Sequence, residues 1–118
     1  MNHKDLDVWK RSMDLTVRCH EITRSFPREE LYGLTSQIRR AASSIPANIA
    51  EGAGRQGAKE FAHFLSIARG SCSELETHLI LAKRLGYLDE KSCHEAMSTL
   101  VEVMRLLGGT IRAQRRRV

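Results

Sequence analysis

Glu60 and His63 are spaced as Glu-x-x-His, the pattern that helical bundles use twice over to hold a pair of iron ions. No second Glu-x-x-His occurs in the 118 residues, so half of such a ligand set is missing. Cys19–His20 and Cys93–His94 are adjacent pairs. Neighbours on a helix diverge by about 100°, and such pairs do not close on one metal. GAGRQG, from Gly52 to Gly57, lacks the spacing of a phosphate-cradling loop. Glu74 and Glu76 stand two apart and diverge on a helix, while Glu51 and Arg55, one turn apart, form an ion pair before they form an acid–base couple. We therefore expect no catalysis, no metal and no cofactor. His20, His63 and His78 read as half-buried polar or interface groups.

One row of polar residues is more suggestive. Gln37, Arg40, Ser44, Asn48, Glu51 and Arg55 recur at three and four, which places them along one side of a helix. A face made only to be wetted favours Lys and Glu; Ser and Asn are poorer helix formers. The row reads either as a plain solvated face or as a seam that contacts something. Pro46 lies off it. Its ring forbids the hydrogen bond to the carbonyl of Ala42, so a kink is predicted, with that carbonyl freed for a hydroxyl, a water or a side-chain donor.

Charge is the third signal. The net +5 is confined to the end of the chain: Arg105, Arg112, Arg115, Arg116 and Arg117 are not accompanied by any acid, and the remaining fourteen basic and fourteen acidic residues cancel. Each arginine can neutralise a phosphate in a forked geometry. Arg39 and Arg40 add charge where no acid occurs between Leu31 and Ala50. Trp9, Tyr32 and Tyr87 are isolated, so no stacking platform for sequence-specific reading of bases is expected. A basic tail at about 112–118 that merely solubilises is the competing reading.

The elements that must position these groups are helical. Two prolines, few aromatics and no alternating β pattern argue for an all-α chain. The length suits one domain, 1–118. The first helix spans roughly Asp5 or Asp7 to Ser25, with one stripe of Leu6, Trp9, Met13, Val17 and His20 and another of Val8, Leu15, Cys19, Ile22 and Phe26. The second starts between Glu29 and Thr35 and runs to the glycines at 52, 54 and 57. The third, about Ala58 to Leu85, carries a heptad seam of Phe61, Leu65, Ala68, Cys72, Leu75, Leu79 and Ala82. Gly86 stops it, and Asp89 caps a fourth helix running from Glu90 to about Gln114. Short connections between long helices predict an up-down-up-down antiparallel four-helix bundle. Phe64, Ile67, Leu81, Ala96, Val103 and Leu106 add apolar surface beyond one seam, through a wide core stripe or a second buried face in an oligomer. Three unpaired cysteines suit a reducing cytoplasm, no apolar run is long enough to span a membrane, and MNHKDLDVWKR has no leader-like core.

LDVWKRSMDL, FPREELYGLTSQIRRAASSIPANIAEGAGR and EFAHFLSIARGSCSELETHLILAKRLGYL together resemble the bacterial 23S rRNA intervening-sequence proteins, a group that includes the accessory variability proteins of diversity-generating retroelements. The resemblance extends from Leu6 to about Leu107, with QIRRAxxSIPxNIAEG across Gln37–Gly52 as its core. It implies a four-helix bundle assembled as a homopentamer, in which two different faces of each protomer meet. The retroelement members bind nucleic acid and a reverse transcriptase. Gln37, Arg39, Arg40, Ser44, Pro46, Asn48, Glu51 and Gly52 match the signature, as do Gly70, Ser71, Glu74 and Glu76. Structural duty is expected of Ser44, Pro46, Asn48 and Gly52, and Gly70 would let a helix come close.

Two functions follow as expectations. One is an oligomeric adaptor that binds RNA or DNA through Arg39, Arg40, Arg112, Arg115, Arg116 and Arg117. The other is a scaffold for a protein partner, docked on the bundle, with nucleic acid incidental.

Overall fold

Leu15, Cys19, Ile38, Ile45, Ile49, Leu65, Cys72, Leu75, Leu79, Leu100, Val103 and Leu107 are inaccessible to water and form the centre of one continuous core. They come from four helices of a computed structural model that describes residues 1–118. Helix α1 is Asp7–Thr23, α2 is Leu34–Ala53, α3 is Ala58–Arg84 and α4 is Glu90–Arg116. Short 3-10 turns at His3–Asp5 and Arg28–Glu30 precede α1 and α2. No strand is present. Each helix packs on its neighbours in sequence, and α1 also packs on α4. That closes a square, antiparallel bundle 45 Å long and 23 × 20 Å across.

The seam expected on α3 is buried at all seven positions. On α1 the stripe of Val8, Leu15 and Cys19 faces the core, joined by Ser12, and Phe26 just past the helix is buried with them. The other stripe splits: Leu6 and Trp9 pack at the core's edge, whereas Met13, Val17 and His20 face outwards.

The ends follow from local chemistry. Thr23 donates its hydroxyl to Cys19 O at 2.7 Å as α1 ends ahead of Pro27. Glu30 then has two tasks: Oε1 accepts from Leu34 N at 3.1 Å, capping α2, and Oε2 accepts from the Tyr87 hydroxyl at 3.0 Å. The hydrogen bond to Glu30 holds the Tyr87 phenol above the ordinary tyrosine range. At the end of α3, Gly86 takes φ +81 and Tyr87 N reaches back to Ala82 O, a Schellman closure. Asp89 Oδ1 accepts from Ser92 N at 2.7 Å, the predicted cap of α4.

Helix α2 passes through Pro46 as one element. The carbonyl of Ala42 is taken by Thr16 of α1, whose hydroxyl is 3.1 Å away, so the group freed by proline binds the next helix. The expected tail corrects to helix. Helix α4 continues to Arg116, because Ile111 and Gln114 are still buried against the bundle. The Arg112 guanidinium lies close over Gly108 and Gly109, in space that side chains there would occupy.

Candidate nucleic-acid interface

Because α3 and α4 run antiparallel, the last turns of α4 stand beside the first turns of α3. Arg115 there shares a shallow concavity with Lys59, His63 and Ser66. Arg117 shares a smaller one with Arg55, Gly57 and Gln114. Arg112, Arg115, Arg116 and Arg117 are all exposed. The ion pairs lie elsewhere: Arg11 with Asp14 and Glu102, Arg18 with Glu95, Arg55 with Glu51, Lys83 with Glu90, and a loose His78–Glu74 contact. The four C-terminal arginines thus have no carboxylate partner, and three of them, Arg112, Arg115 and Arg116, sit on the helix itself. Two of them, Arg115 and Arg116, also offset the negative end of the α4 dipole.

Arg39 and Arg40 are not part of this pole. They lie in the first turns of α2, at the other end of the bundle. Arg39 is half-buried and donates from Nε to Thr23 Oγ1 at 2.9 Å, so one edge of its guanidinium fastens α2 to α1. Arg40 is exposed and lines a groove with Gln37, Ser44, Ser71, Glu74 and Tyr32. The six arginines expected to act together are divided between two ends of the bundle.

Of the polar row of α2, Gln37, Arg40 and Ser44 line that groove of about 600 Å3 between α2 and α3, whereas Glu51 and Arg55 line a separate shallow concavity further along the helix. Much of its chemistry is spent locally. Ser44 donates to Ala41 O and Asn48 donates its amide to Ser44 O, each at 2.8 Å. Arg55 pairs with Glu51 at 2.6 Å and lies over the Phe64 ring, 5.1 Å from its centre. Gly52 is buried, and a Cβ there would meet Phe64 Cβ at 2.7 Å; it permits the contact between α2 and α3. Gly70 corrects the expectation of a close approach, since no atom lies within 4 Å of its Cβ position. Nδ1 of His78, beside the groove's Glu74, is buried without a partner. Tyr32 is 94% exposed at the groove's end.

Thr16 and Glu30 were not legible as functional residues. Their roles depend on what a different helix brings opposite them. All three cysteines are free and buried. Burial pushes the Cys19 and Cys72 thiols up to about 12 and raises Cys93 as well, which leaves them unreactive. No three His, Cys, Asp or Glu side chains gather where a metal could be held, and no helix is long and apolar enough to cross a membrane.

The sequence model of the 23S rRNA-intervening sequence proteins matches residues 4–109. This chain belongs to that family. The match spans all of the first three helices and most of α4, and it stops short of Arg112, Arg115, Arg116 and Arg117. A crystal structure from Bacteroides thetaiotaomicron, of a protein of unknown function from the S23 ribosomal protein family, is 26% identical to this family member and superimposes with a TM-score of 0.84 over 95% of this chain and 99% of that one. None of the curated proteins matches.

Proposed function

We propose that this protein is a non-enzymatic, oligomeric adaptor that binds RNA or DNA mainly through phosphate contacts, without strong sequence preference. The observation that carries the reading is the C-terminal pole: Arg112, Arg115 and Arg116 on α4 and Arg117 just past its end are exposed and unpaired. Lys59 and Arg55 stand next to them. Unpaired arginines on a rigid end meet phosphates without first giving up an ion pair or ordering a tail. Assembly as a homopentamer belongs to the same reading. It would bring five such poles together, and weak contacts would combine. Supporting it, Met13, Val17, Ile67, Leu81, Leu85 and Val101 remain exposed on the single chain, more apolar surface than a lone bundle of this size needs to leave wet. A bend of α2 at Pro46 would set the curvature of the face turned to the neighbour.

The test is binding of a mixed-sequence oligonucleotide measured against salt, with Arg115, Arg116 and Arg117 changed to Ala. Affinity should fall steeply with salt and drop in the variant, with a smaller salt slope. A flat salt dependence, or unchanged affinity in the variant, removes the reading. Sedimentation or native mass measurement checks the ring; a stable 13.4 kDa particle removes it.

A second reading, a scaffold for a protein partner, is favoured by the groove between α2 and α3, with its exposed Tyr32 and Arg40. A stoichiometric partner retained after nuclease treatment supports it.

A further inference from the structure

At the pole opposite the C-terminal arginines, the end of α1, the 28–30 turn and the start of α2 enclose a cavity of about 260 Å3. Arg24, Arg28 and Arg39 all line it. None of the three makes an ion pair, although Glu21, Glu29 and Glu30 lie on the same elements. Glu30 is already occupied by Leu34 N and Tyr87, and no carboxylate lines the cavity. Three cationic side chains around one cavity with no acid beside them make it positively charged, which favours an anion there.

A second observation points the same way. Thr35 lines the cavity and is only 4% exposed. The side-chain hydrogen bonds around it belong to its neighbours, Thr23 with Cys19 and Arg39, and Glu30 with Leu34; the Thr35 hydroxyl has no partner in the chain. That hydroxyl opens onto the cavity, free to donate to a group bound there. The backbone N–H groups of Thr35 and Ser36 also lack a helical acceptor, because α2 begins at Leu34 and its first regular bond at this end is Gln37 N to Gly33 O. The positive end of the α2 dipole therefore joins the arginines.

We propose that this cavity is a phosphate-binding site, in which Arg24 and Arg28 clamp the phosphate, Arg39 is held in place by Thr23, and the Thr35 hydroxyl donates to a phosphate oxygen. The volume accepts a phosphate with part of its ester group, and Phe26, Pro27 and Leu31 supply the apolar wall against which that group rests. The site goes beyond the proposed adaptor role: it uses different residues at the other end of the bundle and stands whether or not the C-terminal pole binds nucleic acid. The phosphate can come from a free nucleotide or from a strand, and the experiment separates these sources.

The experiment is an NMR titration of the intact protein with inorganic phosphate, with AMP beside adenosine, and with a mixed-sequence oligonucleotide. The expected result is that phosphate and AMP shift the Thr35, Ser36 and Arg28 signals in a saturable way, while adenosine does not. Arg28→Gln, Arg24→Gln and Thr35→Val should each weaken phosphate binding about tenfold or more, with Arg116→Ala unchanged. Both arginines are exposed, so their variants should fold, and thermal melting checks it. If the oligonucleotide moves the same signals and competes with AMP, a strand is the source; if only AMP does, a free nucleotide is. Signals that stay still even at tens of millimolar phosphate overturn the site, as does equal phosphate affinity in Arg28→Gln and Thr35→Val. Loss of oligonucleotide binding in the C-terminal triple variant leaves this result untouched, so the two proposals fail separately.

Discussion

The hydroxyl of Thr16 lies 3.1 Å from the carbonyl oxygen of Ala42, the acceptor that Pro46 leaves without its own helical donor. The same hydroxyl is 2.8 Å from Ser12 O, so a single proton is shared between the two carbonyls. A defect in one helix has become a hydrogen bond between two.

Thr16→Val keeps the shape and removes the donor. It should lower stability by about 1 kcal/mol. Pro46→Ala restores the N–H to Ala42 O, so the Thr16→Val cost should shrink in that background. A denaturant double-mutant cycle reads this coupling directly; additive effects would show that the two residues are independent.

Two glycines should respond oppositely to alanine. At Gly52 the new Cβ would lie 2.7 Å from Phe64 Cβ and 3.0 Å from Phe61 Cδ1, so Gly52→Ala should cost about 1–3 kcal/mol. At Gly70, exposed in mid-helix with open space around it, alanine should stabilise the chain by up to about 1 kcal/mol. If the neighbour in an oligomer packs there, Gly70→Ala will instead weaken assembly. Thermal melting and sedimentation of both variants distinguish these effects.

The buried thiols predict alkaline sensitivity. Cys19 and Cys72 are held up to about 12 in the fold, against an ordinary 9.0. The unfolded chain therefore loses these protons first, and stability is complete below pH 9.0 and falls as pH rises from there towards 12. At about pH 10.5 each thiol should contribute a loss of about 2 kcal/mol. Urea melts at neutral and alkaline pH should show the loss, and Cys19→Ala should reduce its slope.

Asp89 predicts the acid counterpart. The hydrogen bond from Ser92 N holds its carboxyl below the usual 3.8, so its stabilisation is present above that value and is lost as pH falls through the lower folded pKa. Asp89→Ala should melt lower than the parent at neutral pH, and the two should converge in strong acid. A difference that persists there would mean the cap acts through packing and not charge.

Much of the architecture was readable without coordinates. The heptad seam from Phe61 to Ala82, the stops at Gly86 and Asp89, the Glu51–Arg55 pair and the charge confined beyond Met104 all depend on contacts within one helix or one turn, where spacing fixes which groups meet.

Tertiary structure decided what those local patterns could not. Whether Met13 and Val17 or Leu15 and Cys19 faced inwards depended on the other three helices. So did the separation of Arg39 from Arg112, the meeting of Thr16 with Ala42, and the placing of Arg24, Arg28 and Thr35 around one cavity. A helix's own period states which residues share a side, but antiparallel packing determines which side is covered and which distant residues share an end. Side chains far apart in sequence become one electrostatic site only there.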